Sequence, residues 1–209
     1  MKKVLLIITM SLLCIISFAQ ENENKNSNEY VLEKDGSVSF SKIIESKDGK
    51  SKEELFSIIE NYFTYNYNDG KSVIQSENKE QCYIIGKGVY GSYYKETKKG
   101  FYWRNMVFST PHIIRIDCKD GRVRVIVTVS QYDVRESNYM DSSKDVSDFN
   151  TQITSTYPFV PAVKANKVSQ EEGIYESAFL SLKIQVFTQF MAIEDAINSG
   201  NSVLDNQDW

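Results

Sequence analysis

Ile113-Ile114-Arg115-Ile116-Asp117-Cys118-Lys119-Asp120-Gly121-Arg122-Val123-Arg124-Val125-Ile126-Val127-Thr128-Val129 decides the fold. Two runs rich in β-branched residues flank a four-residue turn, and Asp-Gly at its centre is the signature of a primed hairpin turn. Pairing Lys119 with Arg122 sets Cys118 against Val123, Ile116 against Val125, Ile114 against Val127 and His112 against Val129. The reverse face then sets Asp117 against Arg124, Arg115 against Ile126 and Ile113 against Thr128. One register yields one apolar and one mostly polar face, the pattern of an antiparallel pair lying on a core.

Reading outward, Val73 to Tyr132 is β throughout. Upstream, Val38-Ser39-Phe40-Ser41-Lys42-Ile43 reads as a first strand after an Asp35-Gly36 turn. Ser51-Lys52-Glu53-Glu54 is a capping box, and Leu55, Ile58, Ile59, Tyr62 and Phe63 follow as one apolar stripe, so a helix starts there. Downstream, Arg135 to Val168 has no sustained period, carries Pro158 and Pro161, and reads as a long connector. A second capping box, Ser169-Gln170-Glu171-Glu172, opens a helix running to Ser199 with Gly200 as its C-cap.

That last helix has two apolar stripes. Tyr175, Phe179, Leu182, Val186, Phe190, Ile193 and Ile197 form the main one; Leu180, Ile184, Phe187 and Met191 form another, rotated around the axis. Such an arc needs cover from two sides. The sheet supplies one. For the other, the sequence predicts a strap of Tyr157, Phe159, Val160 and Val163, stiffened by its prolines, in a mainly monomeric protein. Dimerisation through the same helix face is the alternative. Under the strap reading, Phe187→Asp destabilises the monomer.

The N-terminus reads as an export signal: Lys2 and Lys3, an apolar run from Val4 to Ile16, and Ser17-Phe18-Ala19 before a cut at Gln20. Residues 1–19 are then a signal peptide and 20–29 a polar tether. The domain occupies 30–134, the connector 135–168, the last helix 169–200 and a tail 201–209. Loss of Lys2 and Lys3 leaves 22 basic against 28 acidic residues, a net charge of −6 in place of −4. No transmembrane segment is expected after cleavage, and the mature chain is expected to be periplasmic or secreted. Cys82 and Cys118 then remain, either as two core thiols or as a disulfide bridge.

This order of elements is that of a single α+β domain. On Val38–Glu45, Gly49-Lys50-Ser51-Lys52-Glu53-Glu54-Leu55, Ile85-Gly86-Lys87-Gly88 and Lys119-Asp120-Gly121-Arg122, the chain resembles a family of exported bacterial domains of unknown function with a TATA-box-binding-protein-like (TBP-like) fold. The resemblance covers roughly residues 38–134. It implies a curved antiparallel sheet with helices on one face, and the fold expected is TBP-like, with the capped helix after the first strand and the long C-terminal helix, outside the well-marked part, packed on one face. The family has no established activity, so the resemblance implies no site.

Most chemical motifs read as structural. Gly86-Lys87-Gly88-Val89-Tyr90-Gly91 fits G-x-G-x-x-G but opens no helix, so the glycines serve a bend or bulge in a strand. His112, the single histidine, has no second histidine or nucleophile motif beside it and reads as a packed or edge residue. Glu53, Glu54, Glu171 and Glu172 are helix-start carboxylates. No cofactor or metal site is expected. Nucleic acid is disfavoured because the chain is acidic, whereas DNA binding needs a basic surface.

Aromatic residues with basic neighbours can stack on sugars, peptides or bases. Here the candidate ligand-binding residues are Tyr93, Tyr102, Trp103, Arg104, Arg115 and Arg124, with cross-strand aromatic pairing as the structural reading of the tyrosines and tryptophan. The function expected is an exported, non-catalytic module that binds a glycan, a peptide or an envelope component. The alternative is a carrier holding an apolar ligand between sheet and C-terminal helix. A remote alternative is an envelope hydrolase working through carboxylates.

Overall fold

The computed structural model describes residues 29–67, 73–99, 102–138, 146–159 and 169–199, without the side chains of 97–99, 102–103, 138 and 169–172. The chain divides into Met1–Val31 and Leu32–Trp209. Residues 29–31 of the first unit are described, and β1 (Val31–Leu32) falls at the boundary. The second unit runs β2 (Val38–Glu45), α1 (Lys52–Asn66), β3 (Ile74–Asn78), β4 (Tyr83–Lys99), β5 (Tyr102–Lys119), β6 (Arg122–Val129), β7 (Gln131–Asn138), β8 (Val146–Gln152), a 3-10 turn at Ile153–Ser155 and α2 (Ser169–Ser199). The strands form an open antiparallel sheet in the order β2-β6-β5-β4-β3, with β7 also on β5 and β8 on β7.

The hairpin register is the one read from the sequence, from Lys119↔Arg122 to Ile113↔Thr128. Its turn differs. A primed type I′ turn needs positive φ at both central residues, yet Gly121 is at 75° and Asp120 is not in the left-handed region. Asp120 is occupied otherwise: its carboxylate accepts from the Lys52 N–H at 3.0 Å, and the Gly121 N–H donates to the Lys50 carbonyl at 2.8 Å. The turn is thus held by the start of α1 rather than by the two strands alone.

Alternation places the core on one side. Ile114, Ile116 and Cys118 of β5 and Val123, Val125, Val127 and Val129 of β6 are buried and face the helices. The α1 box closes as predicted: Ser51 Oγ accepts from the Glu54 N–H, and the Glu54 carboxylate accepts from the Ser51 N–H at 2.8 Å. Leu55, Phe56, Ile59, Tyr62 and Phe63 are its buried face; Phe56 joins the stripe in place of the half-buried Ile58. From α2, Phe179, Leu182, Val186, Phe190, Ile193 and Ile197 are buried, and Phe179 packs on Phe40 of β2 with ring centroids 6.4 Å apart. Each such buried side chain contributes roughly 1.5–3 kcal/mol. The Ser169–Glu172 side chains and Gly200, hence that helix's predicted caps, lie outside the described residues.

Two expectations fail. The stretch read as a connector from Arg135 holds the second half of β7 and all of β8. β8 has no period to detect because Val146, Ser147, Asp148, Phe149 and Asn150 are all exposed; its ladder and the Arg135–Asp148 pair at 3.0 Å define it. The strap also fails over the described residues. Phe159 turns back through its N–H to the Thr156 carbonyl and sets its ring edge-on to Phe179, 5.6 Å away, on the main stripe. Leu180, Ile184, Phe187 and Met191 remain exposed. Val160 and Val163 lie outside the described residues.

The β4 glycines serve close packing. A Cβ on Gly86 would stand 2.7 Å from the Phe63 ring, and one on Gly88 2.8 Å from the His112 ring. The bulge expected in this strand lies between Tyr90 and Tyr93.

Candidate functional site

The face of the sheet away from both helices is the candidate site. Strand parity brings Arg115 and Asp117 of β5 and Arg124 of β6 to it. Asp117 sits between the two guanidiniums: Arg115 Nη2 is 2.8 Å from its Oδ1, and Arg124 Nη2 is 2.9 Å from its Oδ2. Partial burial raises the Asp117 pKa, but the hydrogen bonds from Arg115 and Arg124 outweigh that and hold it below the usual carboxylate range. Hydrogen bonding to Asp117 likewise raises Arg115. The Arg115 guanidinium also lies over the Tyr83 ring, 4.8 Å from its centroid.

Beside this cluster the sheet exposes aliphatic side chains. Ile43 is 59% exposed, Val89 63% and Ile113 44%. A groove lined by Ile43, Asp117, Lys119, Arg122, Val123 and Arg124 runs along one flank. Another, lined by Asp35, Ser37, Lys87, Val89, Pro111, Ile113, Thr128 and Ser130 among others, opens on the other. The face therefore offers apolar contact next to directed cationic donors, although the whole chain is acidic.

The sequence-predicted residues divide by strand parity. Arg115 and Arg124 come together on the open face. Arg104 and Tyr93 do not join them: Arg104 is 9% exposed on the core side and pairs with Glu136 at 3.4 Å, while the Tyr93 ring lies 6.2 Å from that of Phe108. Tyr102 and Trp103 belong to β5, and their side chains lie outside the described residues. Asp117, Tyr83, Ile43, Val89 and Ile113 were missed as site members. Asp117 was legible from the hairpin register, which puts it on the face of Arg115 and Arg124; Ile43 and Val89 needed the pairing of distant strands.

On the core side, Cys82 and Cys118 are free thiols, both buried, the first of the two readings left open by the sequence. The Cys118 N–H donates to the Cys82 carbonyl at 2.8 Å, and burial, with Cys82 close by, pushes the Cys118 thiol up to about 12. A polar cluster bridges the helices and β4: Tyr90 Oη donates to Gln189 Oε1 at 2.5 Å, and Gln189 Nε2 donates to Tyr67 Oη at 2.7 Å. His112 is 5% exposed and stacks on Tyr90 with centroids 3.8 Å apart. Neither of its nitrogens finds a hydrogen-bond partner among the described residues. Among the described residues no three His, Cys, Asp or Glu side chains converge to hold a metal ion, and no helix is long and apolar enough to cross a membrane.

An open antiparallel sheet carrying a short and a long helix on one face is the α+β arrangement called TBP-like. Residues 40–133 match the model of a domain of unknown function with TBP-like fold, DUF4468. Two solved structures are similar. One is a TBP-like protein from Parabacteroides distasonis, 16% identical over 79% of this chain and 95% of its own, with a TM-score of 0.46. The other is a DUF4468 family protein from Bacteroides ovatus, 14% identical over 88% of this chain and 99% of its own, with a TM-score of 0.47. No curated protein matches.

Proposed function

We propose that the chain is an exported, non-catalytic binding module whose open sheet face takes an extended protein segment with apolar side chains and a carboxylate. One observation carries this reading: Ile43, Val89 and Ile113 stand exposed on the sheet beside the Arg115–Asp117–Arg124 cluster. Val89 and Ile113 lie diagonally across the β4–β5 ladder next to Pro111, so they form a patch rather than isolated residues. The two arginines are already oriented by Asp117, so an incoming carboxylate meets donors whose rotamers are largely fixed. The carrier reading has less support, since Phe40, Phe179, Leu182, Val186 and Phe190 fill the space between sheet and α2.

Probing arrays of acidic–apolar peptides and of glycans with the purified protein tests this. Binding to peptides, lost in Ile113→Asp and in Arg124→Glu at unchanged stability, is the expected result. An absence of binding across both panels, or binding indifferent to both substitutions, refutes it. Detection of the mature species beginning at Gln20 outside the cytoplasm tests the export step.

A further inference from the structure

On the far side of the molecule from that sheet face, Leu180, Ile184, Phe187 and Met191 of α2 are 56%, 58%, 38% and 62% exposed. Their spacings of four, three and four are those of a coiled-coil seam. Between Ser177 and Ile193 the helix carries one charged residue, Lys183. A helix face meant for water carries alternating charges, and this one does not.

The preceding segment is too short to cover the outer half of this seam. From Phe159, seated beside Phe179, to Ser169 the chain has about ten peptide steps, at most ~36 Å when fully extended. At 1.5 Å per residue, Met191 lies about 18 Å along the axis beyond Phe179 and about 33 Å from Ser169. A detour over Met191 needs ~50 Å, well beyond that reach, and one over Phe187 needs ~39 Å. The outer half of the seam must find another cover.

We infer that this seam is a homodimer interface, occupied by the same seam of a second copy running antiparallel. The four positions are symmetric about a point between Gln185 and Val186. A two-fold axis there sets Leu180 against the partner's Met191 and Ile184 against the partner's Phe187, so one patch satisfies itself, as an isologous interface requires. No like charges face each other across the seam. At roughly 180 Å² per side chain, the exposed fractions leave on the order of 400 Å² of apolar surface per copy. That is about half of the ~800 Å² per partner of a standard interface, which puts this dimer among the weak ones.

Sedimentation velocity on the protein purified after expression of the full chain, from about 1 to 200 µM, tests this. Wild type is expected to pass from monomer to dimer. Ile184→Asp and Phe187→Asp are expected to raise the dissociation constant more than tenfold while melting like the wild-type monomer. A wild type monomeric throughout overturns the inference. So does Phe187→Asp destabilising the dilute monomer, which would mean cover from within the same chain. A chain ending at Ser199 that dimerises where the full chain does not would show the C-terminal tail on the seam, and would also overturn it.

Discussion

Lowering the pH should destabilise this protein through His112, and the size of the effect follows from its surroundings. The ring is 5% exposed, stacked on Tyr90, and neither nitrogen has a partner among the described residues. Burial penalises the imidazolium and pushes the pKa down to about 4; the nearby Thr110 backbone opposes this only in part. Because the folded value lies below the unfolded value of 6.5, the unfolded chain binds more protons between them. Stability is thus full above pH ~6.5 and falls as the pH drops toward ~4. The total loss is about 3 kcal/mol, of which about 2 kcal/mol is already gone at pH 5. Since His112 is the single histidine, no other histidine shares this window. Urea unfolding at pH 7.5 and pH 5, on wild type and His112→Phe, reads the effect directly. Wild type should lose about 2 kcal/mol and the variant well under 1 kcal/mol. Equal losses in both proteins, or an imidazole titrating near pH 6 by NMR in the folded state, would refute the argument.

Other outcomes follow from packing. Gly86→Ala should cost about 1–3 kcal/mol, because the new methyl meets the Phe63 ring at 2.7 Å, whereas Gly91→Ala, 3.7 Å from its nearest neighbour, should fall within about 0.5 kcal/mol; chemical denaturation compares them. Ser51→Ala removes the α1 cap and should cost about 1 kcal/mol in the same assay. Cys82 and Cys118 should resist a thiol reagent at pH 8 in the folded protein and both react in urea without reductant; no reaction in urea would mean a bridge.

What the sequence made legible tracks where side chains meet water. The β5–β6 hairpin was readable because its two faces differ, and α1 because Ser51 and Glu54 announce its start. β8 was not readable, since its side chains are solvated and its order resides in backbone pairing that leaves no hydrophobic period. The site was half readable. Arg115 and Arg124 share the parity of one hairpin, but Arg104 and Tyr93 were grouped with them by proximity in sequence. Proximity ignores that a strand reverses face at every residue. Ile43 and Val89 join the site only through β2–β6 and β4–β5 pairing, which no local pattern reports.

The two strands that share one edge of β5 have a consequence for how the domain can change. β7 takes Arg104–Ser109 and β6 takes Ile113–Lys119, while neither register includes Thr110, Pro111 or His112. Pro111, which has no N–H to give a ladder, falls in that gap. The sheet is forked there, and its prongs keep separate registers. Residues inserted between β7 and β8 would cost about 0.6 kcal/mol per doubling of that connection's length. They would leave the pairing that sets Arg115, Asp117 and Arg124 side by side untouched. The β7–β8 prong is where relatives can differ in length while the opposite prong holds its shape.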